Sequence, residues 1–160
     1  MSRSQEIDRV ARELGSEQTL SVYVDATVTD PSISKPWRPA LAAALHAERE
    51  RLTDAEERMA FDRAASFVED GRLPLGPNRG EAGWMAFVTA EGAQYAERLP
   101  VQVPTLVLWR DGAVVSPYQR ALEQQRSLRG RSPGARVAIA RRRKRGADRV
   151  TSKPGRGKYS

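Results

Sequence analysis

The sequence predicts an α+β domain: a mixed or antiparallel sheet of about four to five strands, packed with a long helical pair and terminal helices. Three observations predict it. Over residues 20–25, Leu20, Val22 and Val24 alternate with Ser21, Tyr23 and Asp25, so the two sets fall on opposite faces of a strand. Residues 37–71 carry helical spacing over a long stretch. The strand-like segments after residue 83 follow one another through short turns, which favours antiparallel pairing.

Each element has its own signal. Residues 1–15 read as a helix, with Ser2 or Ser4 as cap, Ile7, Val10, Ala11 and Leu14 as its apolar stripe, and Gly15 ending it in a left-handed conformation. Residues 19–26 form the opening strand, suited to a half-buried surface. Residues 27–36 are a loop, because Pro31 and Pro36 disfavour helix at Asp30 and Lys35. Trp37 opens the helical region, Pro39 suits its first turn, and Leu41, Leu45 and Leu52 mark one face. Thr53-Asp54-Ala55-Glu56 matches a capping box, so a second helix starts at Thr53, with Met59, Ala60, Ala64, Phe67 and Val68 as apolar positions and Phe61 beside them. Residues 71–83, rich in Gly and Pro, are a surface loop. Residues 84–90 are a nearly all-apolar central strand, and a Glu91-Gly92 turn joins them to a third strand over 93–99. Residues 105–109 are a fourth strand, Asp111-Gly112 a hairpin turn, and 113–115 its return. Pro117 opens a last helix to about Ser127, with Tyr118, Ala121, Leu122 and Gln125 on one face.

Charge divides the chain. Residues 1–127 hold 15 Lys and Arg against 19 Asp and Glu, a net −4; residues 128–160 hold 12 against Asp148 alone, a net +11. The first part is the domain. The second, dominated by Gly, Arg, Ser and Pro, holds too little apolar surface to offset its ordering entropy and is expected to be mostly disordered. Its unbroken run Arg141, Arg142, Arg143, Lys144 and Arg145 would attract phosphates by counterion release. That chemistry fits ribosomal RNA, mRNA or an anionic membrane surface; a solvated tail without a partner is the competing reading.

Several chemistries are excluded or weak. The chain has no Cys, so no disulfide framework, thiolate nucleophile or Cys-ligated zinc, which suits a reducing cytoplasm. No apolar run approaches the roughly 18 residues of a membrane span. His46 is the only histidine and has no evident partner, so it reads as a structural or surface residue, and a His-rich metal site is excluded by count. Gly76, Gly80 and Gly83 match neither a phosphate-binding loop nor a dinucleotide fingerprint and read as turn residues. Asp25 ends a strand where catalytic carboxylates often sit, but strand termination and turn capping explain it better. Trp37, Trp84 and Trp109 read as core or rim aromatics rather than a base-stacking platform. No catalytic residue, cofactor or metal is assigned.

The order Ser21-Val22-Tyr23-Val24-Asp25, Trp37-Arg38, Gly83-Trp84-Met85-Ala86-Phe87, Leu99-Pro100 and Pro117-Tyr118 resembles the bacterial members of the archaeo-eukaryotic-type peptide chain release factor family, which includes peptidyl-tRNA hydrolases. The resemblance covers about residues 14–126. It implies an N-terminal module of a protein acting at the ribosome, with peptidyl-tRNA hydrolysis belonging to the next domain and its glutamine loop. This chain has no Gly-Gly-Gln, and Gly92-Ala93-Gln94 falls in a hairpin of the wrong domain, so no catalytic residue carries over. Residues 137–140 would be the only remnant of a second domain, as in a truncated or frameshifted member or a short paralogue.

The expected function is therefore a non-catalytic, ribosome-associated, cytoplasmic module of the termination or rescue type, contacting RNA through its tail. Two alternatives stay open: a peptidyl-tRNA or other ester hydrolase with an unrecognised site, and a protein-interaction domain with an inert tail.

Overall fold

The computed structural model describes residues 2–76 and 81–129. The turn residues Asn78, Arg79 and Gly80, the apolar run 137–140 and the basic run Arg141 to Arg145 lie outside the described residues. The elements are α1 (Arg3–Leu14), β1 (Gln18–Asp25), α2 (Arg38–Glu50), α3 (Ala55–Glu69), β2 (Gly83–Thr89), β3 (Gln94–Leu99), β4 (Leu106–Asp111) and α4 (Ser116–Arg129). The sheet and its packing helices, through Leu122, form one compact unit. This is the α+β architecture the sequence predicts, with a sheet that is antiparallel throughout.

The sheet order is β3-β2-β1-β4. On one face, cross-strand rows run Trp109-Leu20-Val88, Val107-Val22-Ala86-Ala96 and Val24-Trp84-Arg98. The apolar members of these rows join Leu41 and Leu45 of α2 and Phe61, Ala64 and Val68 of α3 in one core. On the other face, Tyr23, Met85, Phe87 and Leu99 pack with Ile7 of α1 and with Tyr118 and Ala121 of α4. β1 is therefore buried on both faces, not half-buried as its alternation suggests. The alternation assigns the faces correctly, and polar Ser21 and Thr19 are tolerated because each is hydrogen-bonded to backbone.

Local signals explain the helix limits. Ser2 caps α1 in a reciprocal box with Gln5. Gly15 follows with φ 60° and ψ −131°, so it takes positive φ but not the left-handed helical pair of angles expected. The cap of α3 falls one residue later than the capping pattern places it, since the Asp54 carboxylate, not Thr53, accepts the Glu57 N–H, and the helix begins at Ala55 instead of Thr53. α2 and α3 are two antiparallel helices: Arg49 forks onto Asp62 at 2.7 and 3.0 Å, and Arg38 donates to the Glu69 carbonyl at the far end. Met59, expected on the apolar face, is 60% exposed, and Phe61 takes the core position against Trp109 with ring centroids 5.6 Å apart.

The largest departure is at residues 113–115, which form no strand. Gly112, at φ 91°, donates its N–H to the Glu17 carbonyl, and a Cβ there would lie 2.9 Å from the Gly15 carbonyl oxygen. The turn thus sends the chain across β1 instead of back along β4. Val114 donates its N–H to Ser21 Oγ, and its carbonyl accepts from the Tyr23 hydroxyl, so two side chains of β1 satisfy it in place of a strand partner.

The place a return strand would occupy is also closed. Glu48 of α2 is 5% exposed and accepts the Trp109 N–H of edge strand β4 at 2.7 Å, with Arg110 and Arg51 at 2.9 Å completing the carboxylate's partners. A buried carboxylate held by a backbone N–H and two guanidinium groups is satisfied, and it occupies an edge donor that would otherwise invite another strand. Glu48→Ala should therefore lower stability by about 3 kcal/mol, because it strands a buried N–H and unpairs Arg110. Chemical denaturation measures it, and a loss below about 0.5 kcal/mol, the range of unremarkable surface changes, would refute the role given to Glu48.

Candidate functional site

A concavity with an aromatic lining opens where β1 ends, between the sheet and the near end of the helical pair. Its volume is about 590 Å³, within the roughly 300–1,000 Å³ range of small-molecule sites. Pro36 and Trp37 lead into α2 on one side, Val68 and Leu73 close the other, and Trp84 forms the floor. Trp37 and Trp84 pack edge to face, with centroids 5.3 Å apart and planes at 82°. Trp84 is buried and Trp37 half-buried, so the accessible aromatic surface belongs to Trp37.

The rim is polar. Lys35, exposed, and Arg98, half-buried, line it with Ser34 and Glu81. Arg98 lies opposite Trp84 in the β2–β3 register, and its Nε donates to the Gly76 carbonyl, which fixes the guanidinium at the mouth. Among the described residues, the Lys35 ammonium makes no hydrogen bond or ion pair. An aromatic wall with two cations at its edge suits binding of a flat anionic group. Among its described lining residues, Ser34 carries the one hydroxyl and Glu81 the one carboxylate.

The other candidates are dispersed. His46 stands on the solvent side of α2 with its side chain 74% exposed, 3.6 Å from Glu50. Gly83 belongs to β2, not to a turn: it is buried, and a Cβ there would lie 2.8 Å from the Val24 carbonyl oxygen and 3.0 Å from Val103 Cγ2. Its smallness lets the start of β2 close onto its neighbours. Gly76 has open space around it. Trp109 is core, and its indole N–H has no partner among the described residues. Among the described residues, no three His, Cys, Asp or Glu side chains gather in a way that could hold a metal ion. No helix among them is long and apolar enough to cross a membrane.

Asp25 organises the turn after β1. Its carboxylate accepts from the Thr27 N–H and hydroxyl and, at 3.0 Å, from the Gln102 amide, while its own N–H donates to Thr105 Oγ1. All four of these partner groups sit on neighbouring loops, which is turn capping of the kind expected for Asx residues. Sequence reasoning missed Lys35 and Arg98 as a pair. They are 63 positions apart, and only the β3–β2–β1 pairing brings them to one rim.

Partial burial pushes the Asp25 carboxyl up, but the hydrogen bonds from Thr27 and Gln102 outweigh it and hold the group below the ordinary Asp range. A group with a lowered folded value contributes its stability above the unfolded value, near pH 4, and loses it as pH falls through the folded value. Wild type should therefore exceed Asp25→Asn by about 1 kcal/mol at pH 7, with the gap closing between pH 4 and pH 2. Urea denaturation across that range tests it; a gap independent of pH would show that the carboxylate charge is irrelevant to the turn.

No protein-family model matches this chain, and no curated protein matches it.

Proposed function

We propose that this chain is a non-catalytic, ribosome-associated module of the translation termination or rescue type, whose basic C-terminal segment contacts RNA. The observation that carries the reading is the segregation of charge, net −4 over residues 1–127 and net +11 over residues 128–160. A mildly acidic body repels a polyanion, so a phosphate-rich partner is met through the C-terminal segment and in particular through Arg141, Arg142, Arg143, Lys144 and Arg145. The element order supports it too: a strand ending in Asp25, a helical pair led by Trp37, a hairpin opened by Gly83-Trp84, and a helix containing Pro117-Tyr118 follow the pattern of the release-factor-like resemblance.

The full chain should pellet with purified ribosomes at about 50 mM salt and largely dissociate at about 200 mM. Replacing all five cations of residues 141–145 by Gln should flatten the log–log salt dependence by about 3.5 to 4.5, since each cation contributes about 0.7 to 0.9. Failure to pellet at low salt, or an unchanged slope in the five-cation variant, would overturn the proposal.

A further inference from the structure

We infer that the cleft between Trp37, Trp84, Lys35 and Arg98 is a binding site for a small planar aromatic anion, a flat ring bearing a phosphate or a carboxylate. The residues that line it are none of those in the basic C-terminal segment on which the ribosome reading rests. Its shape comes first: about 590 Å³ opening at the end of β1, with an aromatic floor and wall. Edge-to-face packing engages one ring's edge and the other's face, so the half-buried Trp37 keeps aromatic surface on which a ring can stack.

Charge then selects the ligand's substituent. Among the described residues, Lys35 brings an ammonium with no partner, and Arg98 brings a guanidinium held through Nε, with its two terminal nitrogens left for an anion. These cations stand out because the surrounding body is net acidic. An uncharged ring would leave unused the two cations, which outnumber Glu81 on the rim, and a bare anion would leave the aromatic wall uncovered. A ring carrying an anion uses both features at once.

The test is titration of the full chain with adenosine 5′-monophosphate and, separately, with indole-3-acetate, read from the indole N–H signals in NMR spectra. The only tryptophans are 37, 84 and 109, so no such signal arises from the basic C-terminal segment. Trp37→Phe assigns the first of them. Shifts in the Trp37 and Trp84 signals with Trp109 unmoved are expected; the nucleotide alone, the carboxylate alone, or both producing them tells which anion the site takes. Lys35→Gln, at an exposed position that should not disturb folding, should weaken binding about fivefold. Three results would overturn the inference: no shift with either compound up to about 10 mM, equal shifts with inorganic phosphate alone, or unchanged affinity in Lys35→Gln. None of these results bears on ribosome binding, and loss of ribosome binding in the five-cation variant leaves the cleft result intact.

Discussion

The structure depends on β1 being paired along both edges and covered on both faces. Its eight residues bond β2 on one side and β4 on the other, and every residue from Thr19 to Val24 is buried. Those partners lie some 60 to 90 positions later in the chain. Neither local propensity nor the first hairpin can therefore stabilise β1 alone. The cost of closing those loops is offset only when both apolar layers form together. This is why the polar groups of β1 are so fully used. Ser21 and Tyr23 bind the Val114 peptide and Thr19 binds the Glu17 carbonyl, so the central strand carries polar side chains without leaving them unsatisfied.

A sheet with such a centre must still manage its edges, and the two are managed differently. β3 is short, and its Glu97 accepts from the Tyr95 hydroxyl of the same strand at 3.1 Å and meets Arg3 of α1 at 3.4 Å. β4 is more apolar, with Leu106, Val107, Leu108 and Trp109 in succession, and would be the more dangerous edge. Glu48 reaches across from α2 to hold its Trp109 N–H. One carboxylate thus joins the helical layer to the sheet and blocks further pairing at that donor. Both follow from its position, three residues beyond Leu45 and seven beyond Leu41, on the stripe that faces the core.

The legible parts of the fold are those encoded within a few residues. Face assignment in β1, the β2–β3 hairpin, the Ser2 cap and the all-apolar β2 need only alternation, turn chemistry and capping rules. The missed parts depend on contacts across long separations. Residues 113–115 have strand composition, but the hydrogen bonds of Val114 go to Ser21 and Tyr23, more than 90 positions earlier. Met59 and Phe61 exchange roles because α3 rotates its face toward Trp109, which periodicity alone does not fix. Glu48 left a readable trace, a charge on an otherwise apolar stripe, and such a residue is a signal for a long-range partner. The cleft left none, since its cations come from a loop before α2 and from β3.

The cross-strand row that borders the cleft differs in residue size from the row before it. Beneath the middle of α3 the sheet presents Ala86 and Ala96, and the helix answers with Ala60, Ala64 and Ala65, so backbone layers can approach closely. One row further toward the end of β1 the sheet presents Trp84 and Arg98, while the entry to α2 contributes Trp37. Two indoles in edge-to-face contact need more room between layers than alanines do. Val68 and Leu73 line the concavity opposite them. The aromatic pair is at once part of the core and the wall of the cleft, so the opening is held by packed side chains that contribute to stability whether or not anything occupies it.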